Sequence, residues 1–177
     1  MAHHKKKRIR GRAPKRKRHR KSRRERKRRR LVLLNKYEPI SPDTDIKKFR
    51  IAVVESLSED EIHTGTKLYE GELKPLTVSD DSLTASLHTV NDKAEFEKSI
   101  QEIINSLCGD ELVTLHVEAH GAGEEGILLS SGEILGWKDF MDSCRILNEV
   151  LSGLLIVTLS MCNSLPILGC IDPTKRA

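Results

Sequence analysis

The chain has 177 residues and a formal net charge of +5 at pH 7, a length that suits one domain. The charge is divided very unevenly along the chain. Residues 1–30 contain 19 Lys or Arg and one acidic residue, whereas residues 31–177 contain 12 basic and 25 acidic residues. The composition therefore excludes a uniformly basic protein and predicts a strongly basic arm followed by an acidic body.

The basic arm, residues 1–30, holds almost nothing that a core could bury, so it is predicted to be disordered. Residues 5–30 are predicted to contact the phosphates of nucleic acid, or anionic lipid, in a salt-dependent way. The arm contains no aromatic residue, so base stacking is not available and binding would be non-specific. The alternative is an incidental arm: a mis-set start, a fusion remnant, or a tail attracted to the acidic body.

The segment that follows the arm shows no membrane signal. The apolar run at residues 31–34 is far shorter than the about 20 residues that a membrane span needs. It also lacks the cleavage site of a secretory signal. Residues 31–48 are therefore predicted to be a linker. The sequence has four cysteines and no CxxC pair, which favours a reducing, cytoplasmic compartment and predicts no metal and no cofactor.

The globular part is predicted to begin with a strand at residues 49–54 (FRIAVV). A polar loop at residues 55–62 and a short helix at residues 63–69 follow. Residues 72–78 are predicted to form a second strand, and residues 79–91 a polar loop.

A longer helix is predicted after Asp92. Asp92 can cap this helix, and Glu95, three residues later, completes the pattern of a capping box. The apolar residues of the helix recur at the period of one buried face. They are Ala94, Phe96, Ile100, Ile103, Ile104 and Leu107.

Two apolar runs near the centre of the chain each end in a residue able to do chemistry. Residues 112–119 run into His120 and Gly121, and residues 154–161 run into Cys162. Runs of this length that are rich in Val, Leu and Ile are typical of buried strands in a parallel sheet.

The segment between the two runs, residues 136–151, predicts a helix with one buried face. Its apolar residues, at spacings of three and four, are Trp137, Phe140, Met141, Cys144, Leu147, Val150 and Leu151. Strand, helix and strand form one crossover unit, so the two strands are predicted to be parallel. Parallel strands end at the same edge, so His120 and Cys162 are predicted to lie side by side where open α/β sheets place their sites.

A thiol beside an imidazole is the minimum that cysteine nucleophilic catalysis requires. The attacking group is the thiolate. A neighbouring His lowers the pKa of the thiol or accepts the thiol proton. The absence of a side chain at Gly121 lets a substrate carbonyl approach the backbone. The backbone N–H groups of Gly121 and Cys162 are predicted to stabilise the developing oxyanion.

The other imidazole of this strand, His116, lies inside the apolar run and is predicted to be structural. With Glu118 and His120 it forms a row on one strand face, but the sequence supplies no further cluster of ligands, so no metal is predicted.

Three cysteines have simpler interpretations. Cys108 and Cys144 are predicted to be small core residues, and Cys170 lies in the tail. Cys162 alone could also be a buried thiol; the His-Gly turn is what favours a reactive one.

These residues resemble the caspase-like cysteine peptidases, a group that includes metacaspases and bacterial CHAT domains. Residues 120–127 (HGAGEEGI) resemble the family's His-Gly turn and the strand after it. Residues 160–164 (SMCNS) are closer to the CHAT pattern than to the caspase pattern. The separation of His120 and Cys162 is 42 residues, against about 50 in caspases. The resemblance covers residues 49–166.

The resemblance implies an α/β fold, a three-layer α/β/α arrangement around a mostly parallel sheet, over residues 49–177. It also implies a cysteine endopeptidase that acts on a protein or peptide through a His120/Cys162 dyad and an acyl-enzyme. No third catalytic side chain is implied.

Two residues are candidates for substrate binding. In animal caspases, the place of His63 carries an Arg that grips the substrate carboxylate, and a His at neutral pH is a poor substitute for it. Strict preference for Asp is therefore not expected. Glu55 could instead favour Arg or Lys, as acidic pockets do in related peptidases, but the interpretation we prefer for Glu55 is a solvated loop residue.

The family continues after its catalytic Cys with at least two more strands, whereas 15 residues follow Cys162 here. The domain is therefore expected to lack its C-terminal part, a second subunit could complete it, and the isolated chain is expected to have weak or no activity. The alternative function is a non-catalytic caspase-fold protein whose basic arm binds nucleic acid or another partner.

Overall fold

A computed structural model describes residues 46–108, 111–151 and 154–171 of the chain. These residues belong to one compact unit, Tyr37–Ala177. The predicted basic arm and nearly all of the predicted linker lie outside the described residues.

The described residues form an α/β fold whose elements alternate along most of the chain. In chain order they are β1 (Lys48–Ser56), α1 (Thr64–Leu68), a π-helical turn (Tyr69–Leu73), α2 (Lys74–Ser79), β2 (Leu83–Thr89), α3 (Lys93–Ser106), β3 (Glu111–Gly121), β4 (Gly126–Leu128), β5 (Ile134–Gly136), α4 (Trp137–Val150), β6 (Leu155–Ser160) and a 3₁₀ helix (Leu165–Cys170).

Four of the six described strands form a parallel sheet in the order β2-β1-β3-β6. The short strands β4 and β5 extend the sheet in antiparallel fashion from the last two residues of β3. The predicted crossover is confirmed, because β3 and β6 are parallel and α4 connects them. Their carboxyl ends consequently share one edge of the sheet.

One face of the sheet carries the main hydrophobic core. Val54 of β1 and Val117 of β3 are partners in register, and both side chains are buried in this core. Helices α3 and α4 cover the face, with the rings of Phe96 and Phe140 5.8 Å apart between centroids. The predicted apolar stripe of α4 is buried, apart from the half-buried Met141.

The opposite face is more polar and is covered in part by α1. Strand residues alternate between faces, so this side receives Val53 and Glu55 from β1 and His116 and Glu118 from β3. Helices on both faces of the sheet give three layers.

Two of the predicted elements are wrong. Residues 72–78, predicted as a strand, complete the π-helical turn and form most of α2. Residues 79–91, predicted as a polar loop, contain β2. In β2, Leu83, Ala85 and Leu87 alternate with polar residues, the period of a half-exposed edge strand. Its polar composition hid this alternation.

A buried ion pair that sequence analysis missed holds the amino-terminal edge of the sheet. Arg50 Nε donates to Glu111 Oε2 at 2.8 Å, and both residues are buried. Arg50 also donates to the carbonyl oxygen of Ser106, at the end of α3. The pair therefore anchors α3 to β1 and β3, far along the strands from their carboxyl ends.

The predicted cap of α3 by Asp92 is confirmed, and its removal gives a measurable stability change. The predicted capping box differs in one contact, because Glu95 Oε2 accepts from the backbone N–H of Asn91. Asp92 Oδ1 accepts from the backbone N–H of Glu95 at 2.8 Å. We expect Asp92→Ala to lower the free energy of unfolding by about 1 kcal/mol, as measured by urea denaturation. Asp92→Asn, which keeps the acceptor oxygen, should retain most of the stability that the cap contributes. Equal losses in both variants would contradict the capping role.

Candidate active site

The carboxyl ends of β3 and β6 carry the two residues that the sequence singles out. The last paired residues of these strands are Glu118 and Ser160. His120 lies two residues further along β3, and Cys162 lies in the turn two residues beyond the end of β6. The parallel pairing therefore brings the imidazole and the thiol to the same edge of the sheet, and both residues are exposed.

The backbones of the two strand ends touch at Gly121. A Cβ atom added at Gly121 would lie 1.7 Å from the carbonyl oxygen of Cys162 and 2.9 Å from its carbonyl carbon. No side chain fits in that space, and the carbonyl oxygen of Cys162 occupies it, not a substrate carbonyl as the sequence suggested. Glycine at position 121 is thus required for the turn after His120 to lie against the turn that carries Cys162.

The turn after β6 has an unusual backbone at the residue that follows the thiol. Asn163 has φ of 56°, in the left-handed region that few residues other than glycine adopt. Asn is one of the side chains that tolerate this region. The left-handed residue therefore lies directly after Cys162, and backbone of this kind clusters at functional sites.

The other cysteines differ in exposure. Cys144 is buried in α4, and burial raises the pKa of its thiol to about 12, so it is unreactive near neutral pH. Cys170 is half-buried in the 3₁₀ helix. The prediction that Cys108 is a core residue is wrong, because Cys108 is exposed after the last turn of α3. Two exposed thiols, Cys108 and Cys162, are therefore present among the described residues.

His120 has a carboxylate partner from a different part of the chain. Its Nε2 lies 2.5 Å from Glu61 Oε1, in the loop between β1 and α1. The second oxygen of Glu61, Oε2, accepts from the backbone N–H of Ser58 at 2.7 Å. Hydrogen bonds from Ser58 and from His120 hold the pKa of the Glu61 carboxyl below its usual value. The imidazole of His120 is thus hydrogen-bonded to a carboxylate that the backbone of its own loop holds in place.

The candidate substrate-binding residues His63 and Glu55 form one hydrogen-bonded unit. Glu55 is fully buried, so its interpretation as a solvated loop residue is wrong. Its carboxylate accepts from the hydroxyl of Thr66 at 2.6 Å and from the backbone N–H of Thr66 at 3.1 Å, and it contacts His63 Nδ1 at 2.9 Å. Burial alone would raise the pKa of Glu55, but these hydrogen bonds outweigh it and the pKa is lowered.

Helix α1 packs directly onto this buried carboxylate. A Cβ atom at Gly65 would lie 3.0 Å from Glu55 Oε1 and 3.1 Å from Glu118 Cγ. The missing side chain lets the helix approach the sheet and brings its backbone N–H groups to Glu55. His63, next to this contact, is about one-third exposed and is the member of the unit that faces outward.

His116 and Glu118 form a second polar unit beside the first. His116 Nδ1 lies 2.8 Å from the Thr158 hydroxyl and Nε2 lies 3.0 Å from Glu118 Oε1. The hydroxyl of Thr64 donates to Glu118 Oε2 at 3.0 Å. These contacts agree with the structural role predicted for His116. No group of three potential metal ligands occurs within residues 46–108, 111–151 and 154–171.

An apolar groove lies on the other face of the sheet. It has a volume of about 300 Å³ and is lined by β6, α4 and the 3₁₀ helix, with Leu155, Val157 and Leu159 on its floor. His120 belongs to the opposite face, so the groove is separate from the candidate active site.

Sequence analysis found His120 and Cys162 because each ends an apolar run. It missed Glu61, which lies in a polar loop without periodicity and is 59 residues from His120. Its only signal is its place two residues before His63.

The comparisons with known proteins add no further identification. None of the helices among the described residues is long and apolar enough to cross a membrane. No protein-family model matches the chain, and no curated protein matches it either.

Proposed function

We propose that the protein is a cysteine endopeptidase of the caspase and CHAT type that acts in the cytoplasm. The observation that carries the proposal is the meeting of the two strand ends, where Gly121 contacts the backbone of Cys162 and His120 precedes it. The β2-β1-β3-β6 order with helices on both faces supports the same proposal, because that arrangement suits the fold which the resemblance implies.

The proposed reaction runs through an acyl-enzyme. The Cys162 thiolate attacks the peptide carbonyl carbon and forms a C–S bond, and the carbonyl oxygen takes the negative charge. Collapse of this intermediate breaks the C–N bond, and His120 gives its proton to the leaving amine. Water then attacks the thioester, His120 accepts a proton from it, and cleavage of the C–S bond releases the acid and restores the thiolate. Backbone N–H groups of Gly121 and Cys162 are the proposed oxyanion donors.

The proposed substrate contact is made through His63, with Glu55 behind it. Glu55 is buried and hydrogen-bonded on both oxygens, so a direct ion pair with a substrate Arg or Lys would require it to leave these partners. His63 is held by Glu55 and is partly exposed. We therefore assign Glu55 the role of orienting His63.

The test uses a small electrophile, which does not depend on a complete substrate cleft. Iodoacetamide is added to the full-length chain at pH 7, and the modified cysteines are located and timed by mass spectrometry. We expect Cys162 to react about 10-fold or more faster than Cys108, because the neighbouring imidazole is proposed to accept the thiol proton and so to activate the sulfur as a nucleophile. Cys108 is the internal control, since it is also exposed but precedes the amino-terminal end of β3.

Turnover is tested separately. The wild-type chain and Cys162→Ala are compared on a panel of fluorogenic peptides, and activity that survives the substitution would exclude this nucleophile. Equal alkylation rates of Cys108 and Cys162 would overturn the proposed dyad.

The second candidate function is a non-catalytic protein whose arm binds nucleic acid. The 19 basic residues among the first 30 favour it. This function predicts binding to single-stranded and duplex polymers alike, with affinity that falls steeply with salt, and an unreactive Cys162.

A further inference from the structure

We propose that Glu61 is a positioning residue that orients the imidazole of His120, which gives the site a Cys-His-Glu arrangement. The inference rests on the proposed function, since it assigns a partner to the same His. The sequence indicated a dyad without a third side chain.

The contact between His120 and Glu61 determines which nitrogen of the imidazole ring faces the carboxylate and which is left for Cys162. Because Nε2 of His120 meets the Glu61 carboxylate at 2.5 Å, Nε2 carries a proton and donates it. Nδ1 is then the nitrogen that exchanges a proton with Cys162 and with the substrate. Proton transfer in catalysis requires the correct tautomer as well as the correct distance, and a carboxylate on Nε2 supplies that selection.

The carboxylate is held in place independently of His120. Glu61 Oε2 accepts from the Ser58 N–H, and the Glu61 N–H donates to the Ser58 carbonyl at 3.0 Å. These two bonds close the loop between β1 and α1 into a tight turn. An ordinary surface ion pair joins two mobile side chains and contributes little to stability. Here the hydrogen bonds with Ser58 hold the Glu61 carboxylate in place independently of its contact with His120.

The charge of Glu61 suits this role over the working pH range. Its pKa lies below the usual value, through hydrogen bonds from Ser58 and His120, so the carboxylate is ionised at neutral pH. The other ionisable groups on the neighbouring elements are already engaged: Glu118 with Thr64 and His116, and Glu55 with Thr66 and His63. Glu61 is the carboxylate that is bonded to His120.

The test follows the alkylation of Cys162 by iodoacetamide from pH 5 to pH 9 in the full-length chain. We expect Glu61→Gln to slow the reaction at pH 7 about 10-fold and to move its half-maximal pH up by about one unit, because an imidazole that has lost its carboxylate partner is a poorer acceptor for the thiol proton. Glu61→Asp should recover part of the rate. The matched control is Glu59→Gln, which makes the same charge change at an exposed position of the same loop and should stay within about twofold of wild type.

The outcomes separate this inference from the proposed function. If Cys162 in the wild-type chain reacts no faster than Cys108, the proposed function fails and the role of Glu61 fails with it. If His120→Ala slows Cys162 but Glu61→Gln leaves rate and pH profile unchanged, only the role of Glu61 is overturned. A slower rate with an unshifted pH profile in Glu61→Gln would also overturn it, since that pattern indicates a purely structural loop residue. Thermal unfolding of each variant confirms that the chain remains folded.

Discussion

His120→Ala is expected to reduce the hydrolysis of a peptide amide at pH 7 by about 10²–10⁴-fold, the usual contribution of a positioned general acid–base group. The reason is that an amine leaves as a neutral molecule only when it receives a proton, and in the proposed mechanism His120 donates that proton. A peptide thioester of the same sequence has a leaving group that departs without a proton. His120→Ala should therefore reduce hydrolysis of the thioester less than hydrolysis of the amide. Stopped-flow measurement of the release of the two leaving groups gives the difference.

The matched control for this variant is His116→Ala, on the same face of β3. His116 is bonded to Thr158 and Glu118, so its removal should lower stability and leave the amide-to-thioester ratio near the wild-type value. A loss below about 10-fold for the amide in His120→Ala would remove His120 from the mechanism.

Glu55→Ala is expected to lower the free energy of unfolding by about 1–3 kcal/mol, the cost of leaving buried hydrogen-bond donors without their acceptor. Glu55 is fully buried, and its removal leaves the Thr66 hydroxyl, the Thr66 N–H and His63 without their acceptor. Glu55→Gln keeps the shape and an acceptor oxygen, so its loss should be smaller. Urea denaturation at pH 7 measures both, and equal stability of Glu55→Ala and wild type would contradict the account.

The same carboxylate gives a stability that depends on pH. Because the pKa of Glu55 is lowered from its usual value of 4.5 in the folded chain, its contribution is fully present above pH 4.5 and is lost as the pH falls through the folded pKa. Denaturation at a series of pH values from 7 downward should show this loss in wild type. Glu55→Gln should lack the part of this pH-dependent loss of stability that Glu55 causes. Identical pH dependences of the free energy of unfolding in wild type and Glu55→Gln would contradict the prediction.

The central crossover could be predicted because its signals are local and strong. Two apolar runs of strand length flank a helix with a clear apolar stripe, and the handedness and direction of such units are nearly fixed. The same rule brought His120 and Cys162 to one edge. Strand β2 was missed because an edge strand buries only one face, so Leu83, Ala85 and Leu87 give a weaker signal than a continuous run.

The surroundings of the site could not be predicted in the same way. Glu61 reaches His120 only because the loop after β1 closes on Ser58, and Glu55 is buried only because Gly65 lets α1 approach the sheet. Both depend on how close two separate segments come in space. Periodicity and composition carry no information about such distances.

The contact at Gly121 means that the spacing of the site is set by main-chain packing. A single methyl group at this position is the smallest change that forces the tips of β3 and β6 apart, while the imidazole and the thiol themselves remain chemically intact. The distance between His120 and Cys162 can therefore be changed by a substitution at Gly121, which alters neither of the two side chains.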